Sequence, residues 1–332
     1  MSQTPPRAVI FGCAGLRLDP AERAFFAQAQ PWGTILFARN IETPAQLTAL
    51  TAELRDAVGR DMPVLIDQEG GRVQRMRGPH WRDWPPALDQ CRTARDPVRA
   101  MYLRGRLIAS ELRACGIDVN CAPLADIATD DTHPILRNRC YGTALAPVIA
   151  HARALAQGLM AGGVLPVLKH IPGHGRAQAD SHLDLPVISE GREELTNSDF
   201  AAFQALADLP LGMTAHLLFS KIDPSYPATL SPKMITLIRE DIGFQGLLMT
   251  DDISMQALDG TIAARARAAL GAGCDLVLHC NGDMREMAEI AQACPMLDGP
   301  ALARSHAALA ARKPPEGCDI AALDAEYAAL TA

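Results

Sequence analysis

The stretch Gly163–Val164–Leu165–Pro166–Val167–Leu168–Lys169–His170–Ile171–Pro172–Gly173–His174–Gly175, with Asp180–Ser181–His182 close behind it, decides how the chain is read. A short apolar run that ends in charged residues and a glycine-rich loop is the pattern of a buried strand delivering a functional loop. The fifteen residues from Leu168 to His182 hold a lysine, three histidines and an aspartate. Ordinary surface loops carry solvated lysine, glutamate and serine instead. Asp180 and His182 stand two residues apart, so in extended or turning backbone the carboxylate can orient the imidazole and favour its charged form.

The same strand-then-loop unit recurs on both sides. Ala8–Phe11, Thr34–Phe37, Pro63–Asp67, Ile117–Cys121, Val164–Leu168, Leu211–Ala215, Gly246–Thr250 and Asp275–His279 are strand candidates. Helical patterns separate them. Asp19–Pro20–Ala21–Glu22 joins an acidic N-cap, a proline at the first helical position and a glutamate at the third. Thr43–Pro44–Ala45–Gln46 repeats that opening for a helix to about 58, and Asp96–Pro97 for one to about 115. Further helices are expected over 147–161, 192–207, 232–239 and 262–270, and helical patterns fill the remainder. Strands joined by helical crossovers must lie parallel. Eight such units closing on themselves make a (β/α)8 TIM-type barrel, an α/β fold whose chemistry lies on the loops after its strands. An open doubly wound sheet is the alternative. Against it, no G-x-G-x-x-G follows the first strand, and functional-looking residues follow many strands rather than one crevice. No Pro/Ser/Gly-rich linker divides the chain, so residues 1–332 read as a single barrel domain.

Composition narrows the partners. With 48% hydrophobic and 21% charged residues among 332, a large core is expected and disorder is not. The formal net charge is −7 and no long run of lysine and arginine occurs, so nucleic acid is not an expected partner. The first residues lack the basic and apolar regions of a signal peptide, and no apolar run approaches the roughly 18–20 residues of a membrane span. Nine cysteines lie scattered without C-x-x-C spacing, three of them (Cys121, Cys274, Cys280) in apolar strand-like runs. That usage fits a reducing compartment, and a cytoplasmic location is expected.

The strand ends carry the candidate chemistry. The third runs into Ile66–Asp67–Gln68–Glu69–Gly70–Gly71–Arg72–Val73–Gln74–Arg75, with carboxylates and arginines around a diglycine. Carboxylates accept paired hydrogen bonds from vicinal hydroxyls, and an arginine fork donates to hydroxyl or carbonyl oxygen. Asp67, at the strand terminus, is the stronger ligand candidate; for Glu69 and Arg72 an internal salt-bridge loop is the alternative. After the fourth strand, Arg137–Asn138–Arg139 offers one or two arginines to the barrel mouth. Lys169 at a strand terminus needs an anion or several acceptors to offset its desolvation. His216, ending the sixth strand, fits a satisfied core histidine as well as a ligand. In Met249–Thr250–Asp251–Asp252 the adjacent acids should point in opposite directions, one into the mouth. A carboxylate there, opposite a proton donor on the fifth loop, forms a two-group hydrolytic arrangement.

These motifs together resemble the glycoside hydrolase family 3 β-N-acetylhexosaminidases, in particular the compact, single-domain cytoplasmic type that recycles peptidoglycan in Gram-negative bacteria. The resemblance spans essentially the full length. It rests on residues 67–75, on Lys169–His170–Ile171–Pro172–Gly173–His174–Gly175, on Asp180–Ser181–His182 and on Thr250–Asp251–Asp252–Ile253–Ser254–Met255. It implies a retaining exo-β-N-acetylglucosaminidase acting on a small-molecule substrate, GlcNAc–anhydro-muramyl peptide, as a monomer with no cofactor and no metal. It further implies Asp251 as nucleophile, His182 as acid/base and Asp180 as its tuning partner. Asp67, Arg75, Arg139, Lys169 and His170 match the positions that grip the sugar. The departures are Ile171 for phenylalanine, Cys140–Tyr141 for serine–phenylalanine and Thr250 for serine; none removes a catalytic group. Histidine serves as the proton donor if a carboxylate stabilises its charged form.

Three rivals frame that reading. A metal-dependent barrel hydrolase could draw on His170, His174, Asp180, His182, His216 and Asp251. The first strand lacks H-x-H, however, and Lys169 would repel a cation. A sugar-binding sensor on a retired barrel predicts loss of Asp251, His182 or Asp180, and all are present. A phosphorylase would share the covalent intermediate and take phosphate as acceptor.

Overall fold

Eight strands form the centre: β1 (Arg7–Gly12), β2 (Pro31–Leu36), β3 (Val64–Ile66), β4 (Val119–Asn120), β5 (Leu165–Ile171), β6 (Leu211–Thr214), β7 (Leu247–Asp252) and β8 (Leu276–His279). The structure, a computed structural model, describes residues 5–178 and 184–332. Each strand pairs in parallel with the next, and β8 returns to β1 through Val9–Val277, Ile10–Leu278 and Phe11–His279, closing the barrel. The (β/α)8 architecture is the one expected.

Local chemistry explains the helix starts. Asp19, Thr43, Asp96 and Ser231 each precede a helix with proline in its first turn, and each side chain accepts a backbone N–H from three residues on. Such a cap stabilises by about 1 kcal/mol. The helix expected over 192–207 divides into Arg192–Thr196 and Asp199–Gln204. Asn197 and Ser198 turn their side chains onto the carbonyls of Glu193 and Glu194, at 3.0 and 2.7 Å, and Ser198 leaves helical geometry. Short polar side chains competing for backbone in this way interrupt a helix. The β3 and β4 ladders are also shorter than expected, because side chains take over at their ends. Asp118 accepts the N–H of Val64 at 2.8 Å, and Asn120 pairs with both backbone groups of Gln68.

Strand alternation builds the interior. Ala8 and Ile10 of β1 point into the barrel, whereas Val9 and Phe11 point to the helices. Leu65, Leu165, Val167, Leu211, Met213, Leu247, Met249, Leu276 and Leu278 fill the inner layer. Outside it, the helices Pro97–Ala114 and Leu145–Ala161 approach closely at Gly105 and Gly158, where a Cβ would overlap the carbonyls of Leu155 and Tyr102. Among the described residues no helix is long and apolar enough to cross a membrane.

The N-terminal end of the barrel is closed by helix Gly299–Ala311. Its Ser305 accepts from the indole of Trp32 at 2.7 Å, and Leu302, Ala308 and Leu309 pack against the inner layer. Two buried carboxylates tie this end together. Asp275 accepts the N–H of Leu248 at 2.9 Å and is clamped by Arg239 at 2.7 Å and Arg304 at 2.9 Å. Asp118 takes the equivalent place between β3 and β4, held by Arg55 and by Arg312 just beyond the same closing helix. Removing Asp275 leaves a buried N–H and two guanidiniums without their acceptor. Asp275→Ala is therefore expected to lower unfolding free energy by about 2–4 kcal/mol, read from the denaturant midpoint. A loss below about 1 kcal/mol would mean that the clamp contributes little to closure.

Candidate active site

Strand alternation also sets the mouth. Continuing the inward positions one step past the inner layer gives Asp67 after Leu65, Lys169 after Val167, Asp251 after Met249 and Cys280 after Leu278. All four line a single cavity of about 210 Å³ at the C-terminal end of the barrel, with Arg72, Arg75, Arg139, His170 and His174. Function at this end of a parallel barrel is the rule.

The segment after β3 returns on itself as a short antiparallel pair, Gln68–Gly70 with Val73–Gln74. Gly70 and Gly71 make the turn with φ of 109° and 58°, which side chains rarely adopt. Gln68 braces the pair by accepting the N–H groups of Arg75 and Met76 at 3.0 and 3.1 Å. Arg75 is thereby brought back onto Asp67, donating at 3.0 Å. From below, buried Arg104 donates to the carbonyls of Glu69 at 2.5 Å and Pro85 at 2.8 Å.

Lys169 is 2% exposed, and its ammonium lies 3.0 Å from Asp67 and 2.6 Å from Glu69. The anion that its burial requires is thus present twice. Arg139 forms a two-pronged bridge to Glu69, Nε to Oε2 at 2.9 Å and Nη2 to Oε1 at 2.8 Å. Arg137 instead turns away to the Thr129 carbonyl and Asp130. Glu69 behaves as the internal salt-bridge reading expects. Arg72 does not: it donates to the Ile135 carbonyl at 3.2 Å and lines the cavity.

Burial alone would raise the Asp67 and Glu69 carboxyls, but the cations against them outweigh it and hold both below the usual carboxylate range. Burial likewise opposes the charge of Lys169, yet the two carboxylates raise its pKa above that of a free lysine. Each Asp67 oxygen is committed to one cation and keeps a second acceptor position, so the group can still accept a pair of vicinal hydroxyls.

Asp251 and Asp252 diverge as expected. Asp252 is tied down by Ser254, whose Oγ donates at 2.8 Å, and by the N–H of Cys280 at 3.3 Å. Asp251 faces the cavity and accepts the Asp252 N–H at 2.8 Å. Burial pushes its carboxyl up, but His170, His216, that N–H and Lys169 together bring it below the ordinary value. An ionised, partly desolvated carboxylate at the floor of a polar pocket is equipped for nucleophilic attack. His216 is satisfied at both ring nitrogens, Nδ1 against the Thr229 hydroxyl at 2.8 Å and Nε2 donating to the Asp252 carbonyl at 3.0 Å, so it supports the Asp251 turn rather than lining the cavity.

The structure thus brings together six of the expected site residues: Asp67, Arg75, Arg139, Lys169, His170 and Asp251. Asp180 and His182 lie outside the described residues. One close partner was absent from the sequence candidates. Asp126, fully buried, meets Nδ1 of His170 at 2.7 Å and the N–H of His174 at 2.6 Å. Its place just after β4 was the available signal. Among the described residues no group of three or more His, Cys, Asp or Glu side chains has a metal-binding arrangement.

His174 gives the site a pH signature. Burial, then the neighbouring His170, lowers its imidazole from 6.5 to about 4. The unfolded chain therefore binds a proton between those values that the folded chain refuses, and stability falls as pH drops through that window. The depressed carboxylates contribute their own loss only below the ordinary carboxylate range, near pH 4 and under. Melting temperature should fall more steeply from pH 7 to about 4.5 in the wild type than in His174→Gln. Equal slopes would contradict the buried neutral imidazole.

Residues 12–308 match the family described as glycosyl hydrolase family 3 N terminal domain. A β-hexosaminidase of Bordetella avium is 39% identical over 293 residues, covering 84% of this chain and 82% of its own. One from Methylococcus capsulatus is 40% identical over 278 residues, covering 82% of each. Among solved structures, NagZ of Neisseria gonorrhoeae in complex with N-trifluoroacetyl-D-glucosamine superposes with a TM-score of 0.89 over 100% of both chains, at 30% identity. The barrel, its polar mouth and these relatives agree: the chain belongs to glycosyl hydrolase family 3.

Proposed function

We propose that this glycosidase is a retaining exo-β-N-acetylglucosaminidase. It would remove the terminal non-reducing GlcNAc from peptidoglycan-derived GlcNAc–1,6-anhydro-MurNAc peptides, working in the cytoplasm as a monomeric single-domain enzyme. The observation that carries the reading is Asp251, ionised and turned into a cavity that Asp67, Lys169 and Arg139 also line, with Glu69 paired to the last two. The β-hexosaminidase relatives and the glucosamine-derived ligand of gonococcal NagZ support it.

In this mechanism Asp67, Arg75, Arg139, Lys169 and His170 hold the sugar, and Asp251 attacks the anomeric carbon as the leaving oxygen departs. His182, favoured in its charged form by Asp180, protonates that oxygen and then activates water to release the sugar with retained configuration. Histidine becomes neutral on giving up its proton, so no second negative charge develops beside the ester-forming carboxylate. The small, charged, enclosed mouth suits one terminal sugar and hence exo cleavage.

A slow fluorinated glycosyl donor that keeps the 2-acetamido group, such as a 5-fluoro glycosyl fluoride of N-acetylglucosamine, tests the reading. The labelled peptide should carry the sugar on Asp251, and Asp251→Ala should fold, retain N-acetylglucosamine binding and lose nearly all turnover. Labelling of Asp252, or equal activity on glucosides and N-acetylglucosaminides, would overturn it.

A further inference from the structure

Asp126 enters the site from the side and needs a reason to be there. After β4 the chain continues alongside β5: Lys169 donates its N–H to the Pro123 carbonyl at 3.0 Å, and Ala125 donates to the Lys169 carbonyl at 2.9 Å. That register points the Asp126 carboxylate at the turn leaving β5. Among the described residues, its close partners are the backbone N–H groups of His170 and His174 and the ring nitrogen Nδ1 of His170, all in that turn. Oδ2 lies 2.7 Å from His170 Nδ1, Oδ1 accepts the His174 N–H at 2.6 Å, and both oxygens lie 3.3–3.4 Å from the His170 N–H. A fully buried carboxylate without an arginine or lysine bridge among the described residues is costly unless its acceptor positions are filled. Asparagine in the same place would turn an N–H onto one of these donors. The site therefore requires an acid, not merely a polar side chain.

We propose that Asp126 is a positioning residue for the glycosidase reaction: it locks the His170 imidazole with its proton on Nδ1 and reserves Nε2 for the cavity that Asp251 shares. The role given to Asp251 rests on the function proposed above. The chemistry is simple. Burial would neutralise Asp126, but His170, their mutual hydrogen bond and His174 keep it ionised. An ionised carboxylate only accepts, so the ring nitrogen facing it must be the protonated one. The ring is thereby held by one nitrogen in a fixed plane, and the other is left to meet sugar or nucleophile.

The charged and titratable groups facing His170 come from four directions. They are Asp126 beyond β4, Lys169 beside it in β5, His174 with ring centres 5.4 Å apart, and His216 and Asp251 from the ends of β6 and β7. After burial, His170 is the largest influence on the Asp251 carboxyl, and it lowers it. Asp126 thus acts on the nucleophile at one remove, through the orientation of one imidazole. Because Oδ1 also fixes the His174 N–H, the same carboxylate anchors the start of the segment leading toward Asp180 and His182.

Two measurements on the full-length protein test this. Ring nitrogens of 15N-histidine-labelled protein, with the His170 signals identified by their loss in His170→Gln, should show a protonated Nδ1 throughout pH 5–8 in the wild type. An unprotonated Nδ1 overturns the proposal even if no variant folds. In kinetics on an aryl N-acetylglucosaminide, Asp126→Asn should lower kcat/KM roughly 10- to 100-fold, the range for a group that orients a functional imidazole from behind. It should also shift the acid limb of kcat/KM to higher pH, since a His170 ring turned out of place no longer lowers the Asp251 carboxyl. In a His170→Ala background the same change should cost less than about threefold. An equal loss in both backgrounds, or an unmoved acid limb, would make Asp126 merely structural. If the wild type is inactive on N-acetylglucosaminides, the proposed function falls, while the nitrogen measurement still decides for or against Asp126.

Discussion

Everything at the mouth of this barrel is arranged around one buried ammonium. Lys169 cannot be charged and dry without compensation, since desolvating an isolated ion costs several kcal/mol. Asp67 and Glu69 supply that compensation from the segment after β3, and Arg75 and Arg139 in turn offset the two carboxylates. The result is a closed array of three cations and two anions contributed by the chain after β3, the loop after β4 and the strand β5. Breaking one bond in it leaves a neighbour uncompensated, so the array is stiff. A stiff array suits a site that must distinguish the hydroxyl and acetamido pattern of one sugar.

The two ends of the barrel use ion pairs for different ends. At the N-terminal end, Asp118 and Asp275 each accept a strand N–H and are bridged by arginines from surrounding helices. At the C-terminal end, Asp67 and Asp251 line a polar cavity. The inner apolar layer from Ile10 to Leu278 separates them. Stability at one end and recognition at the other can therefore vary independently, as this architecture generally allows.

Much of this was legible in the sequence because strands alternate. Once Leu65, Val167 and Met249 are taken as inward, Asp67, Lys169 and Asp251 must follow them into the mouth, and Asp252 must turn away. The helix starts were legible for an equally local reason, the Asp-Pro, Thr-Pro and Ser-Pro caps. What stayed hidden depends on contacts far apart in sequence. The bridge between Glu69 and Arg139, the support of Glu69 by Arg104, and the closing arginines at 304 and 312 become visible only when the barrel closes. Asp126 was hidden differently: it stands between the apolar pairs Leu124–Ala125 and Ile127–Ala128, and only its position just past β4 marks it. The interruption at Asn197 and Ser198 was a contest between helix periodicity and side-chain competition that pattern alone does not decide. The Asp180–Ser181–His182 motif was read in the sequence and lies outside the described residues.

The central claim is that the Lys169 charge array holds the sugar and steadies the reacting carboxylate. Replacing Lys169 with methionine keeps the length and removes the charge, while Arg75 and Arg139 remain to hold Asp67 and Glu69. The account predicts a variant with a native circular dichroism spectrum whose kcat/KM on an aryl N-acetylglucosaminide is lower by about 2–5 kcal/mol in transition-state binding, or roughly 30- to 5,000-fold. A folded Lys169→Met enzyme within about threefold of the wild type would contradict it.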